Sequence, residues 1–220
     1  MADIALLDGQ TYVFQGDSIT DCGRRDSAAP YGAGYAGLVI DMFRAACPDR
    51  KVNFINKGIG GDNTRGLLER WDDDVIRYQP DWVSILIGIN DQHTFMGDPV
   101  NGISPSVYRE CYDAFLARTK EKTSARLIIL DPFYISINDA PGTWRRKVLD
   151  LIPEYIAIAG EMAEEYGAIH IPVHAIYQEH LKYADAEVYC PEPVHPNRAG
   201  HIVMAAAIMD ALSASALQNA

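Results

Sequence analysis

The chain has 220 residues, 48% of them apolar and 22% charged, which excludes a disordered or fibrous protein and suits one sizeable core, so a single domain over residues 1–220 is expected. Its formal net charge of −11 repels nucleic acid, and the short basic stretches Arg24-Arg25 and Arg145-Arg146-Lys147 are too small to reverse that.

In chain order, β-rich apolar runs alternate with segments of helical period. The first run, Tyr12 to Phe14, leads into Gly16-Asp17-Ser18-Ile19-Thr20, which sets a hydroxyl on a glycine-permitted turn. Taken alone, Gly-Asp-Ser is an ordinary turn sequence. Ala36, Val39, Ile40, Phe43 and Cys47 then form one helical face before Pro48 ends it. The second run, Val52 to Ile55, is followed by Asn56-Lys57-Gly58-Ile59-Gly60-Gly61-Asp62-Asn63-Thr64. This glycine-rich turn opens a helix marked by Leu67, Leu68, Trp71, Val75 and Tyr78. Exposed amides at such a turn suit an anion, whether a phosphate or a transient oxyanion, although neither nucleotide fingerprint, Gly-x-Gly-x-x-Gly or Gly-x-x-x-x-Gly-Lys-[Ser/Thr], is matched.

The third run, Trp82 to Ile87, ends in Gly88-Ile89-Asn90-Asp91, with Asn90 expected in a loop. Ser104 and Pro105 supply an N-cap and a first-turn proline for a helix carrying Tyr108, Cys111, Tyr112, Phe115 and Leu116. The fourth run is Leu127 to Leu130. A long helical segment from Trp144 to Tyr166 contains Pro153, expected to kink it or start a new helix, and ends at Gly167. The fifth run, Ala168 to Val173, is the last. Glu192-Pro193-Val194-His195-Pro196-Asn197 then sets a carboxylate three residues ahead of a histidine, before a final helix expected from about Pro196 and carrying Ile202, Ala205, Ala206, Met209 and Leu212.

Five strands and five helices in alternation give a three-layer α/β/α plan, a five-stranded parallel sheet of flavodoxin-like type with its crevice beyond the strands' carboxyl ends. No Gly-x-Ser-x-Gly elbow is present. The opening residues lack the basic and apolar regions of a secretory signal, and no run of about 18 apolar residues is present to cross a bilayer. Cys22, Cys47, Cys111 and Cys190 are scattered without a Cys-x-x-Cys pair, which suits reduced thiols. A cytoplasmic protein without membrane insertion is the expectation.

In order, the Ser18, Gly60-Gly61, Asn90 and His195 segments resemble the four blocks of the SGNH (GDSL-like) hydrolases, and the resemblance covers nearly the whole chain. It implies Ser18 as nucleophile, His195 as general base, and Ser18, Gly61 and Asn90 as oxyanion-hole donors. Gly60 is the alternative to Gly61, which is preferred because the family's glycine precedes an Asp or Asn, as Gly61 precedes Asp62. The family has Asp three residues before the histidine, where this chain has Glu192. Glu192 therefore either completes a triad or leaves a Ser–His dyad.

The resemblance further implies hydrolysis of a short acyl ester, acetyl on a carbohydrate first of all, without metal or organic cofactor. Its partner would be a small-molecule or oligosaccharide ester, and the sequence leaves room for a homo-oligomer. The alternatives are thioesterase or lysophospholipase-type acylhydrolysis at the same site, a non-catalytic sugar-binding protein on the same fold, and a nucleotide-binding module. Trp144 and His93, expected in loops, and Tyr134, after the fourth strand, are candidates for the pocket's border.

Overall fold

Strict alternation of side chains along a strand lets one sheet serve two cores, and the first strand shows how. β1 (Thr11–Gly16) directs Tyr12 and Phe14 to one face and Val13 to the other. A computed structural model describes residues 4–138 and 140–217. After β1 come α1 (Ser18–Asp21), α2 (Tyr35–Ala46), β2 (Asn53–Asn56), α3 (Thr64–Asp74), β3 (Trp82–Leu86), α4 (Ile89–Gly97) and α5 (Pro105–Lys122). The chain continues through β4 (Arg126–Leu130), α6 (Trp144–Glu165), β5 (Ile169–Ile171), α7 (Val173–His180) and α8 (Arg198–Leu217).

The five strands are parallel and lie in the order β2-β1-β3-β4-β5. This is the flavodoxin-like order, whose reversal between β1 and β3 opens a crevice at the strands' carboxyl ends. On one face Tyr12, Phe14, Trp82, Ile128 and Leu130 pack with residues of α2 and α8. On the other, Val13, Val83, Ile85, Leu127 and Ile129 pack with residues of α3, α5 and the second half of α6. Every residue of β3 is buried, as expected of a central strand covered on both sides.

Several boundaries differ from the sequence expectation. α1, α4 and α7 are helices that a search for long apolar periodicity passes over, because they have 4, 9 and 8 residues. β5 stops at Ile171, and Val173 already belongs to α7. α6 runs without interruption through Pro153, which lies on its exposed side. α8 begins at Arg198, where Asn197 Oδ1 accepts the N–H groups of Ala199 at 2.9 Å and Gly200 at 3.2 Å. Its inward residues are Met204, Ala205, Ile208, Met209 and Leu212, whereas Ile202 is exposed. Residues 198–216 are long and apolar enough to cross a membrane by composition. In this fold their apolar face packs into the core shared with α2.

Candidate active site

Gly16 ends β1 because nothing larger fits: a Cβ there would lie 2.4 Å from both the Leu86 carbonyl oxygen and Thr20 Oγ1. The chain turns sharply over this contact. Asp17, fully buried, caps α1 by accepting the Ile19 N–H at 2.9 Å, so Ser18 becomes the helix's first residue at the carboxyl edge of the sheet. At that position its own N–H has no intrahelical acceptor.

Ser18 Oγ lies 2.8 Å from His195 Nε2, and His195 Nδ1 lies 2.5 Å from Glu192 Oε1. A carboxylate only accepts, so Nδ1 carries the proton and Nε2 is left to accept from the Ser18 hydroxyl. Glu192 is pinned within its own loop. Its carboxylate also accepts the backbone N–H of His195 at 2.7 Å and of Val194 at 3.1 Å. Partial burial alone would raise its pKa, but these hydrogen bonds and the His195 charge outweigh it and hold the carboxyl below its ordinary range. The extra methylene of Glu over Asp is absorbed by this local ring. The loop is tied down by the Cys190 thiol on the Glu192 carbonyl and by the Ile135 N–H on the Pro193 carbonyl at 2.9 Å.

The glycine turn faces the same hydroxyl. A Cβ at Gly60 would stand 4.0 Å from Ser18 Cβ, but the Gly60 N–H already donates to Asp21 Oδ2 at 3.2 Å. Gly61, at φ +79°, adopts the left-handed backbone that favours glycine, and its N–H makes no hydrogen bond among the described residues. Arg24 and Arg25, given no role by the sequence, brace this turn. Arg24 Nε donates to the Gly58 carbonyl at 2.6 Å, and Arg25 Nη2 pairs with Asp21 Oδ2 at 2.7 Å.

Asn90 sits in the first turn of α4, not in a loop. Its Nδ2 donates to the Asp62 carbonyl at 2.9 Å and lies 3.5 Å from Asp17 Oδ2. Around it is a polar network the sequence reading missed. Asp91 Oδ1 accepts the Thr64 N–H at 3.0 Å and its hydroxyl at 2.5 Å, which joins the heads of α3 and α4. Arg70 pairs with Asp62 at 2.7 Å and also with Asp74. Burial pushes the Asp17 carboxyl up to about 7 and that of Asp91 up to about 6. Asp91 directly follows Asn90, and Thr64 closes the glycine turn. Their adjacency to motif residues was the one available signal.

The second histidine of this region cannot stand in for His195. His201 is buried, its Nδ1 accepts the Tyr35 N–H at 3.1 Å, and burial lowers its pKa to about 4. His93 and Trp144, expected in loops, are in α4 and at the first position of α6. Their ring centroids are 5.8 Å apart, and His93 also meets Tyr134 edge-on at 6.4 Å. Among the described residues no group of three or more His, Cys, Asp or Glu side chains is arranged to hold a metal ion.

A serine, an imidazole and a carboxylate in one hydrogen-bonded line, at the edge of a sheet ordered 2-1-3-4-5, define a hydrolase fold of the SGNH type. The chain belongs to the GDSL-like Lipase/Acylhydrolase family, whose model matches residues 14–203. It is 34% identical over 209 residues to an acetylxylan esterase of Geobacillus stearothermophilus, covering 91% of this chain and 93% of that one. A crystal structure of an acetylxylan esterase from that organism, a catalytic mutant with an aspartate replaced by alanine, matches with a TM-score of 0.85 at 31% identity, over 95% of this chain and 96% of that one. Two further catalytic mutants of that esterase replace a histidine or a serine. An α/β hydrolase enzyme from the metagenome of Lake Arreo, Spain, matches with a TM-score of 0.84 at 28% identity, over 95% and 97% of the two chains.

Proposed function

We propose that this protein is a serine esterase that removes acetyl groups from an oligosaccharide. The observation that carries the reading is the line Ser18–His195–Glu192. His195 takes the Ser18 proton as Oγ attacks the ester carbonyl, and returns it to the departing sugar oxygen. Water then attacks the acyl carbonyl and gives a proton to His195, which passes it to Ser18 Oγ as the Oγ–acyl bond breaks and acetate leaves. Glu192 fixes the ring tautomer and stabilises imidazolium without taking the proton.

The N–H groups of Ser18 and Gly61 and the Asn90 side chain hold the oxyanion. Among the described residues the Gly61 N–H has no partner, whereas the Gly60 N–H donates to Asp21, which favours Gly61 as donor. Asn90 is preorganised by the Asp62 carbonyl, so little reorganisation is needed as charge develops. The related acetylxylan esterase supports both the triad and the substrate. Its catalytic mutants replace a serine, a histidine and an aspartate three residues before that histidine, the spacing at which Glu192 precedes His195. Free thiols at Cys22, Cys47, Cys111 and Cys190 suit our placing the protein in a reducing compartment such as the cytoplasm.

The test is a panel of p-nitrophenyl esters from acetate upward, together with acetylated xylo-oligosaccharides, run with wild type and Ser18→Ala. Acetate release dependent on Ser18, falling with acyl length, is the expected result. A preference for long acyl chains would instead favour the lysophospholipase-type reading, and sugar binding without hydrolysis a binding protein.

A further inference from the structure

From the cluster around Trp144 we infer a carbohydrate subsite on the leaving-group side of the active site, which deepens the acetyl-esterase reading and rests on it. The protein has three tryptophans, and two of them, Trp71 and Trp82, are fully buried core residues. Trp144 is 49% exposed at the head of α6, so half of a large apolar ring is left facing solvent. Its indole lies against His93, and His93 against Tyr134. The row adjoins the loop of the catalytic pair: Ile135, the residue after Tyr134, donates its N–H to the Pro193 carbonyl between Glu192 and His195 at 2.9 Å, and the charges of Glu192 and His195 both act on His93. The His93 Nε2 is buried without a hydrogen-bond partner, so the row also holds a polar atom that the described protein leaves unused.

The row continues into polar surface. Arg145, whose charge also reaches Tyr134, lines a cavity of about 220 Å³ with Ser136, Asn138, Asp185 and Glu187. An exposed indole whose next residue, Arg145, joins carboxylates and an amide around that cavity matches the chemistry of a pyranose, which offers one apolar C–H face and a rim of hydroxyls. Position gives the subsite its role. The oxygen that leaves must receive its proton from His195, so the sugar bearing it extends toward the His195–Glu192 loop, to which Trp144 is linked through His93 and Tyr134. The ligand is a neutral sugar. An acidic one would meet Asp185, Glu187 and Glu192 as well as the chain's net charge of −11.

Tryptophan fluorescence tests this directly, because Trp144 is the exposed one of the three. Ser18→Ala, titrated with acetylated xylotriose, is expected to give a saturable change in emission. Trp144→Ala in the same background is expected to abolish that change and weaken calorimetric binding about tenfold, and Trp144→Phe to restore most of the affinity. In the Ser18-intact enzyme, Trp144→Ala is expected to lower kcat/KM on acetylated xylotriose, relative to p-nitrophenyl acetate, by about tenfold through KM. Equal losses on the two esters, or undiminished calorimetric binding by the Trp144→Ala variant, would overturn the subsite. Undiminished binding would point instead to the cavity of about 340 Å³ lined by Asn63, Arg65, Glu69, Thr94 and Asn101. Absence of p-nitrophenyl acetate hydrolysis by wild type would count against the esterase reading alone, since the binding titration needs no turnover.

Discussion

The two flanks of Ser18 are built in opposite ways. On one side, His195 and Glu192 are three residues apart on a single loop, with side chains 56% and 47% exposed. On the other, Asn90, Asp17, Asp91 and Thr64 come from three chain segments, and the last three are buried. In the proposed mechanism, the group that takes up and releases a proton sits on an open, locally braced loop, and Asn90, the side chain that meets developing charge, is fixed by a network spanning α1, α3 and α4. The buried side carries a cost, because two carboxyls there are held well above their ordinary pKa.

Removing either member of the proton-transfer pair breaks the comparison hardest. Ser18→Ala and His195→Ala are expected to reduce kcat on p-nitrophenyl acetate by on the order of 10⁴-fold or more. Asn90→Ala probes the preorganised side and is expected to cost roughly 10²-fold to 10³-fold in kcat. Glu192→Gln should cost more than about tenfold in kcat, because the amide no longer fixes the tautomer. A smaller loss would mean that the Ser–His pair works as a dyad.

The smallest effect is one of stability against pH. Asp17 and Asp91 keep protons in the folded chain that the unfolded chain has already released, so folding loses stability as pH rises from about 4, until both are ionised above about 7. Asp17→Asn removes the larger part of that slope. Thermal melts of wild type and variant at pH 5 and pH 8 should differ, with wild type falling by a few degrees more than the variant. Parallel melts would contradict a buried, proton-holding Asp17.

The open flank was legible in the sequence, since Glu192 and His195 lie in one short stretch and a three-residue spacing is visible in the chain itself. The five strands, the long helices and their parallel α/β plan were also legible, because strands and helices repeat their own apolar patterns over successive residues, whereas the order β2-β1-β3-β4-β5 is a product of packing. The buried flank was not legible as a network. Thr64 meets Asp91 across 27 positions and Asp62 is held by Arg70 across the first two turns of α3, contacts that only the packing of helix heads creates. Asn90 reads as a loop residue because α4 has only 9 residues and a weakly amphipathic pattern. Trp144, His93 and Tyr134 were noticed singly, and only the fold makes them a row.

The central claim is that Ser18 is the attacking group, and labelling with a fluorophosphonate probe tests it most directly. Intact mass of the wild-type protein should show one covalent adduct, with the modified peptide containing Ser18, and the Ser18→Ala variant should show none. An adduct that persists in the Ser18→Ala variant, or hydrolysis of p-nitrophenyl acetate by a wild type that never labels at Ser18, would contradict it.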